Sequence, residues 1–211
     1  MKKLIVFAFI LVATATAKAQ TSFGIQAGAN FATLKLDSDD EDIKSKVGLV
    51  IGALADIDFG SSISFRPELN FIQKGYKIDE SGYEETLSLN YIELSPNFVY
   101  NFTAGTGKVF LGLGPSFGFG VSGRIKSKDG NDPEEEEDVD FGSNDDQVKS
   151  FDYGFNLLGG YKLANGLFLS AGYNLGLGNL SNLEGDEFEA KNRGFNIKIG
   201  YMFGGNKSSA E

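Results

Sequence analysis

Three ionisable side chains are placed by their spacing to act together. Arg66 and Glu68 are two residues apart, so in an extended segment both point to one face. Glu93 belongs to the next alternating segment, across a hairpin, and falls on that same face. An arginine with two carboxylates could line an ion pathway or supply a carboxylate pair for acid–base chemistry. The same groups could instead neutralise one another as a buried polar network. A charge taken out of water needs a partner, and Arg offers a forked donor to carboxylates. The structural network is the expectation. Asp152, Lys162 and Lys198 share this phase in later segments and are further members.

A second constellation is the run Glu134-Glu135-Glu136-Glu137-Asp138. Hard carboxylate oxygens suit Ca²⁺ or Mg²⁺, which could in turn bridge to anionic lipopolysaccharide. The run lacks the glycine-punctuated spacing of an EF-hand loop, and a solvated, like-charged loop is the plainer reading. Other chemistry is excluded by composition. The 211 residues contain no His and no Cys. There is therefore no imidazole-assisted nucleophile, no thiolate metal site and no disulfide. Gly105-Thr106-Gly107-Lys108 resembles a phosphate-loop fragment, but it falls in a hairpin turn and the rest of the motif is missing. No enzyme activity, cofactor or resident metal is expected.

These side chains must be carried by strands. Apolar and small or polar residues alternate with a period of two in eight segments, about 22–34, 46–58, 62–76, 86–102, 108–123, 150–163, 166–178 and 193–203. In the fourth, Leu87, Leu89 and Tyr91 are out of phase with Ile92, Leu94 and Phe98, which predicts a bulge in that strand. Connections alternate between short (58–62, 103–107, 164–166) and long (35–46, 77–85, 124–149, 179–192). This is the pattern of an all-β, eight-stranded antiparallel up-and-down barrel, with the long loops at one end.

Periodicity alone does not say which face is inside. Residue size does: 15 of the 28 glycines lie opposite the bulky Phe, Leu and Tyr face. Small residues suit the inside of a narrow eight-stranded barrel, and bulky ones then meet lipid, as in transmembrane barrels of the OmpA/OmpX type. A closed barrel also satisfies its backbone hydrogen bonds without water. Two aromatic girdles are expected. Phe23, Tyr100, Phe102, Tyr161, Tyr201 and Phe203 lie near the short turns, and Phe31, Phe71, Tyr76, Tyr91, Phe151, Tyr153 and Tyr173 toward the long loops. A soluble barrel binding an apolar ligand remains an alternative on periodicity alone.

Residues 1–19 read as a cleaved signal peptide. Lys2 and Lys3 precede the apolar run Leu4–Val12, and Ala17-Lys18-Ala19 gives a cleavage pattern. The barrel domain is then 20–204, with a polar tail over 205–211. Removing the signal segment leaves 16 basic against 29 acidic residues, which disfavours nucleic acid as a partner. The long connections hold 23 of the 29 acids.

The run Phe65-Arg66-Pro67-Glu68-Leu69-Asn70-Phe71-Ile72-Gln73-Lys74-Gly75 resembles a strand of the PorT-like outer-membrane β-barrel proteins, and Asn90-Tyr91-Ile92-Glu93-Leu94-Ser95-Pro96 resembles that family's next strand. Asp152-Tyr153-Gly154-Phe155-Asn156 and the closing Gly200-Tyr201-Met202-Phe203 fit as well. The resemblance covers about 20–204 and implies a small barrel of a Gram-negative, Bacteroidota-type outer membrane without catalytic residues. One lineage of that family assists protein secretion. Implied partners are outer-membrane lipid and lipopolysaccharide, and barrel-assembly machinery reading Phe203 from an internal position. The expected function is a monomeric barrel with a structural or interaction role. It would display acidic loops open to a protein partner. A narrow-lumen transport or ligand-binding barrel is the alternative.

Overall fold

The computed structural model describes residues 20–36, 43–60, 62–80, 82–130, 132–145, 147–182 and 189–204; the expected signal segment and tail lie outside the described residues. The strands are β1 (Gln20–Leu36), β2 (Ile43–Lys44), β3 (Lys46–Asp58), β4 (Ile63–Glu80), β5 (Tyr83–Ala104), β6 (Gly107–Asp129), β7 (Glu135–Val139), β8 (Phe141–Gly142), β9 (Val148–Lys149), β10 (Phe151–Lys162), β11 (Leu167–Gly176) and β12 (Ala190–Phe203). Among the described residues there is no helix.

Eight of these strands are the staves of a closed barrel. Each pairs antiparallel with its neighbours in the order β1, β3, β4, β5, β6, β10, β11, β12, and β12 returns to β1. Closure leaves the staves without a free edge. The faces divide as the residue sizes require. Phe23, Val47, Leu113, Leu157 and Leu169 point outward and are exposed, in a band of large apolar side chains. That much exposed apolar surface would be unusual on a soluble monomer.

Inward glycines let neighbouring backbones close together. A Cβ on Gly28 would stand 1.9 Å from the Ile197 carbonyl oxygen of the adjacent stave. On the outer face Pro67 stands directly opposite Pro96. Each proline removes a ladder donor, and Asn97 Nδ2 donates to the Ser95 carbonyl beside this gap at 3.1 Å.

Two expectations are corrected. The fourth segment does not change phase: Leu87, Leu89, Tyr91 and Glu93 all point inward and are buried. The register shift at Asn90/Tyr91 places the extra residue, Val121, on the facing strand β6. Tyr91 is thus fully buried in the lumen, and Tyr76 also turns inward, so neither belongs to the outer girdle. The second correction concerns the connections. Segment 77–85 is a tight hairpin, with β4 paired to β5 as far as Glu80↔Tyr83. The staves β4, β5 and β6 run 18, 22 and 23 residues, longer than the rest. They rise as a wall on one side, flanked by β2 on β4 and β7 on β6. The six extra rungs from Gly75 to Glu80 correspond to roughly 20 Å of height.

Candidate functional site

The lumen is filled in layers. At the short-turn end Leu54, Val99, Phe110, Leu158, Phe168 and Met202 form a buried apolar cluster. At the other end Leu34, Val50, Ile72, Leu87, Leu89, Tyr91, Leu180 and Ala190 form a second. Phe141 of β8 closes over this upper layer. Its ring lies 5.5 Å from Tyr91, edge to face, above the space left by Gly120.

The charged residues lie between and beside these layers, as two ion pairs and one cluster of a lysine with two carboxylates. Arg66 Nη2 meets Asp56 Oδ2 at 2.5 Å, with its guanidinium 4.4 Å from the Phe110 ring centroid. Lys198 Nζ meets Glu68 Oε2 at 2.7 Å, and Gln26 Nε2 donates to that same oxygen at 2.7 Å. Lys74 Nζ bridges Glu93 Oε2 at 2.8 Å and Asp152 Oδ2 at 3.0 Å. Asn192 Nδ2 donates to Asp152 Oδ2 at 2.8 Å. All seven of these charged side chains are buried.

Arg66, Glu68 and Glu93 therefore do not form one triad. Glu93 stands opposite Asn70, whereas Arg66 stands opposite Asn97. Four residues of strand, about 13 Å, separate the two levels. Arg66 instead pairs with Asp56, Glu68 with Lys198, and Glu93 shares Lys74 with Asp152; Asp56 and Lys74 are not among the sequence candidates. Both signals were in the sequence. Asp56 lies on the inward phase of its strand, and continuing the alternation from Arg66 through Glu68, Asn70 and Ile72 reaches Lys74. Lys162 is half-buried at the short-turn end, apart from these pairs.

The carboxylates converge on Lys74 for a geometric reason. Glu93, Gly118 and Asp152 occupy one rung of three adjacent staves. Gly118 leaves the space between them, and the Tyr91 ring packs there. Amides complete the middle layer: Asn156 Nδ2 donates to Ser95 Oγ at 2.7 Å, and Asn174 Nδ2 to Asn156 Oδ1 at 2.6 Å. Within this layer is a cavity of ≈ 20 Å³ lined by Glu68, Asn70, Glu93, Asn156, Asn196 and Lys198. It has room for about one water molecule.

The acidic run is also rearranged. Glu135–Val139 is strand β7, not an irregular loop, and it pairs with β6. Arg124 meets Glu136 at 3.0 Å and Asp138 at 3.7 Å; Lys126 meets Glu134 at 2.8 Å and also Glu136. Glu135 and Glu137 are exposed. Among the described residues no group of three or more Asp or Glu is placed to hold a metal ion. The hydrogen bond from Lys126 holds the Glu136 carboxyl below its usual range. A lowered pKa stabilises the β6–β7 contact above the ordinary carboxylate value of about 4.3 and releases it as pH falls through the lower, folded value. Limited proteolysis should show segment 130–139 protected at pH 7. Protection should be lost in Arg124→Glu/Lys126→Glu, while the temperature of the barrel's gel-mobility shift stays unchanged. Equal protection in wild type and variant would show that these pairs do not hold β7.

A family model described as "outer membrane protein beta-barrel domain" matches residues 17–182. Curated proteins give no match. Solved structures similar to this chain include Neisserial surface protein A, at 17% identity and TM-score 0.47, covering 87% of this chain and 99% of that one. Another is Ail, the attachment invasion locus protein of Yersinia pestis, at 13% identity and TM-score 0.41, with coverage of 87% and 99%. The outer membrane enzyme PagL matches at 12% identity and TM-score 0.43, with coverage of 82% and 98%.

Proposed function

The chain belongs to the outer membrane protein beta-barrel domain family, and from that premise we propose that it is a non-conducting, non-catalytic barrel whose working surface is the raised acidic wall. The observation carrying this reading is the filled lumen: two apolar layers, two ion pairs, the Lys74 cluster with its two carboxylates, and a cavity for about one water. A channel needs a continuous wet path, and a binding barrel needs a cavity for its ligand. The absence of His and Cys from the sequence removes the commonest nucleophile systems.

In this reading residues 1–19 direct export and are removed, the long-connection end faces outward, and the barrel is a monomer surrounded by outer-membrane lipid and lipopolysaccharide. Barrel-assembly machinery inserts it. The PorT-like assignment and a secretion-assisting role belong to the same proposal, as does a protein partner for the wall. The exposed Glu135 and Glu137 side chains on β7 give that partner a like-charged face to complement.

A photo-crosslinking residue at Glu135 or Glu137 in intact cells tests the reading. Discrete protein adducts from the wall positions, absent from the same probe at lipid-facing Leu113, are expected. Adducts to lipid alone at all three positions would remove the interaction role.

A further inference from the structure

The two faces of the raised wall differ in chemistry. Directly opposed residues of neighbouring strands share a face. Above Lys74, one row runs Ile43, Ile78, Glu85, Ser127, Glu135 across β2, β4, β5, β6 and β7. The row below it is Tyr76, Leu87, Ile125, Glu137, and the row above it is Glu80, Tyr83, Asp129. This is the inner face, continuous with the upper lumen layer through Tyr76, Leu87 and Ile125. These rows hold five carboxylates and no Lys or Arg. The bases of the same strands, Lys44, Lys77, Arg124, Lys126 and Lys128, fall on the opposite, outer face. Four of them pair there with acids: Lys44 with Asp79, Lys77 with Glu84, Arg124 with Glu136, Lys126 with Glu134. Among the described residues the five inner carboxylates make no ion pair.

The rest of this rim cannot supply the missing cations. Residues 37–42, 81, 131, 146 and 183–188, the parts of the long connections outside the described residues, include nine acids and no Lys or Arg. The spacing of the inner carboxylates points to what does. Glu135 and Glu137 are two residues apart, about 7 Å along the strand. Glu85 and Glu135 are two strands apart on one row, roughly 10 Å. Carboxylates on such a grid do not converge on one metal ion. They match separate cations carried at every second residue of an extended chain. Glu85 is held in place by hydrogen bonds from the Tyr76 and Tyr83 hydroxyls, at 2.8 and 2.7 Å. A hollow of ≈ 400 Å³ lies over Ile125 and Ser127, bounded by Glu135, Glu136 and Glu137. A Lys or Arg side chain lays its aliphatic stem on such a floor and its charged head on the rim.

We propose that the inner face of the wall docks an extended segment of a partner protein with Lys or Arg at alternate positions. Its basic heads meet Glu85, Glu135 and Glu137, and their stems lie over Ile78 and Ile125. Complementary charge then fixes the register of the segment as well as its attraction. The proposal rests on the reading of the wall as the working surface and adds the chemistry of the partner.

The test uses the full mature barrel in a neutral detergent, with the heat-dependent gel shift verified for every variant. Fluorescence anisotropy measures the binding of two labelled hexapeptides of one composition, Lys-Thr-Lys-Thr-Lys-Thr and Lys-Lys-Lys-Thr-Thr-Thr. Only the first presents all its lysines on one face when extended. It should bind about tenfold more tightly than the second. Glu135→Gln/Glu137→Gln should weaken it about tenfold, from roughly threefold for each exposed pair. Asp132→Asn/Asp145→Asn removes the same charge from exposed turns off the face and should change binding by less than about twofold. Ile78→Ser should weaken binding with every carboxylate in place. Equal affinity for the two peptides would overturn the proposal, as would equal losses in the two charge variants. Displacement of the alternating peptide by equimolar spermine would mark a site for small polycations and overturn the protein-segment assignment. Protein adducts at Glu135 in intact cells alongside any of these failures would leave the wall as the working surface and remove only this partner chemistry.

Discussion

Replacing Lys74 with methionine should cost about 3–5 kcal/mol of barrel stability, because it leaves two buried carboxylates without their shared cation. Lys74 is buried and holds both Glu93 and Asp152. Methionine keeps most of the volume and packs beside Tyr91, so the loss reads the charge rather than a cavity. The carboxylates would have to take up protons or admit water, and either outcome disturbs the middle layer. Urea titration in detergent, read by the gel shift of folded against unfolded barrel, measures the cost. The triple variant Lys74→Met/Glu93→Gln/Asp152→Asn should recover most of it, because no unpaired charge then remains. A single variant as stable as wild type would mean that water reaches this layer freely. The lumen would then be open.

Gly28→Val should abolish folding into the heat-shifting form altogether. The obstruction at Gly28 is the backbone of the neighbouring stave: a Cβ would meet the Ile197 carbonyl oxygen at 1.9 Å, with Lys198 Cα at 2.8 Å. Main chain of a hydrogen-bonded ladder cannot rotate aside as a side chain can. Moving it would part β1 from β12, the seam that closes the barrel. Gly118→Ala is the matched control. Its Cβ would meet Tyr91 Cδ1 at 3.2 Å and no backbone closer than 3.7 Å. A small shift of that ring accommodates it, at about 1 kcal/mol or less. Folding of the valine variant with normal yield would contradict the close packing of staves by inward glycines.

Much of this fold is legible in the sequence because one rule governs it. A stave alternates except at a bulge such as Val121, so face assignments follow from parity, and the Arg66-to-Lys74 run follows that parity without a break. The rule fails where residue type and face disagree. Leu87, Leu89 and Tyr91 are apolar yet inward, because the lumen itself has an apolar upper layer. From a single strand this is indistinguishable from a change of phase. Charge misleads in the same way at the rim. Lys77, Asp79, Glu84 and Glu85 have the composition of a loop, but they pair across a hairpin: Lys77 meets Glu84 at 3.0 Å and Tyr76 donates to Glu85 at 2.8 Å. The acids of 134–138 are likewise drawn into a strand by Arg124 and Lys126. Which lumen carboxylate meets which cation depends on stave register, and register is set by shear around the whole barrel. Sequence parity places Arg66, Glu68 and Glu93 on one face but carries no information about their heights.

The closed lumen is tested most directly by single-channel recording of the purified mature barrel in planar bilayers. A baseline without discrete current steps is predicted, in salt of either neutral or acidic pH, with insertion verified by protease protection in the same membranes. Stable, reproducible conductance steps from the wild-type barrel would contradict the account and would restore the reading of a narrow transport path past Lys74, Glu93 and Asp152.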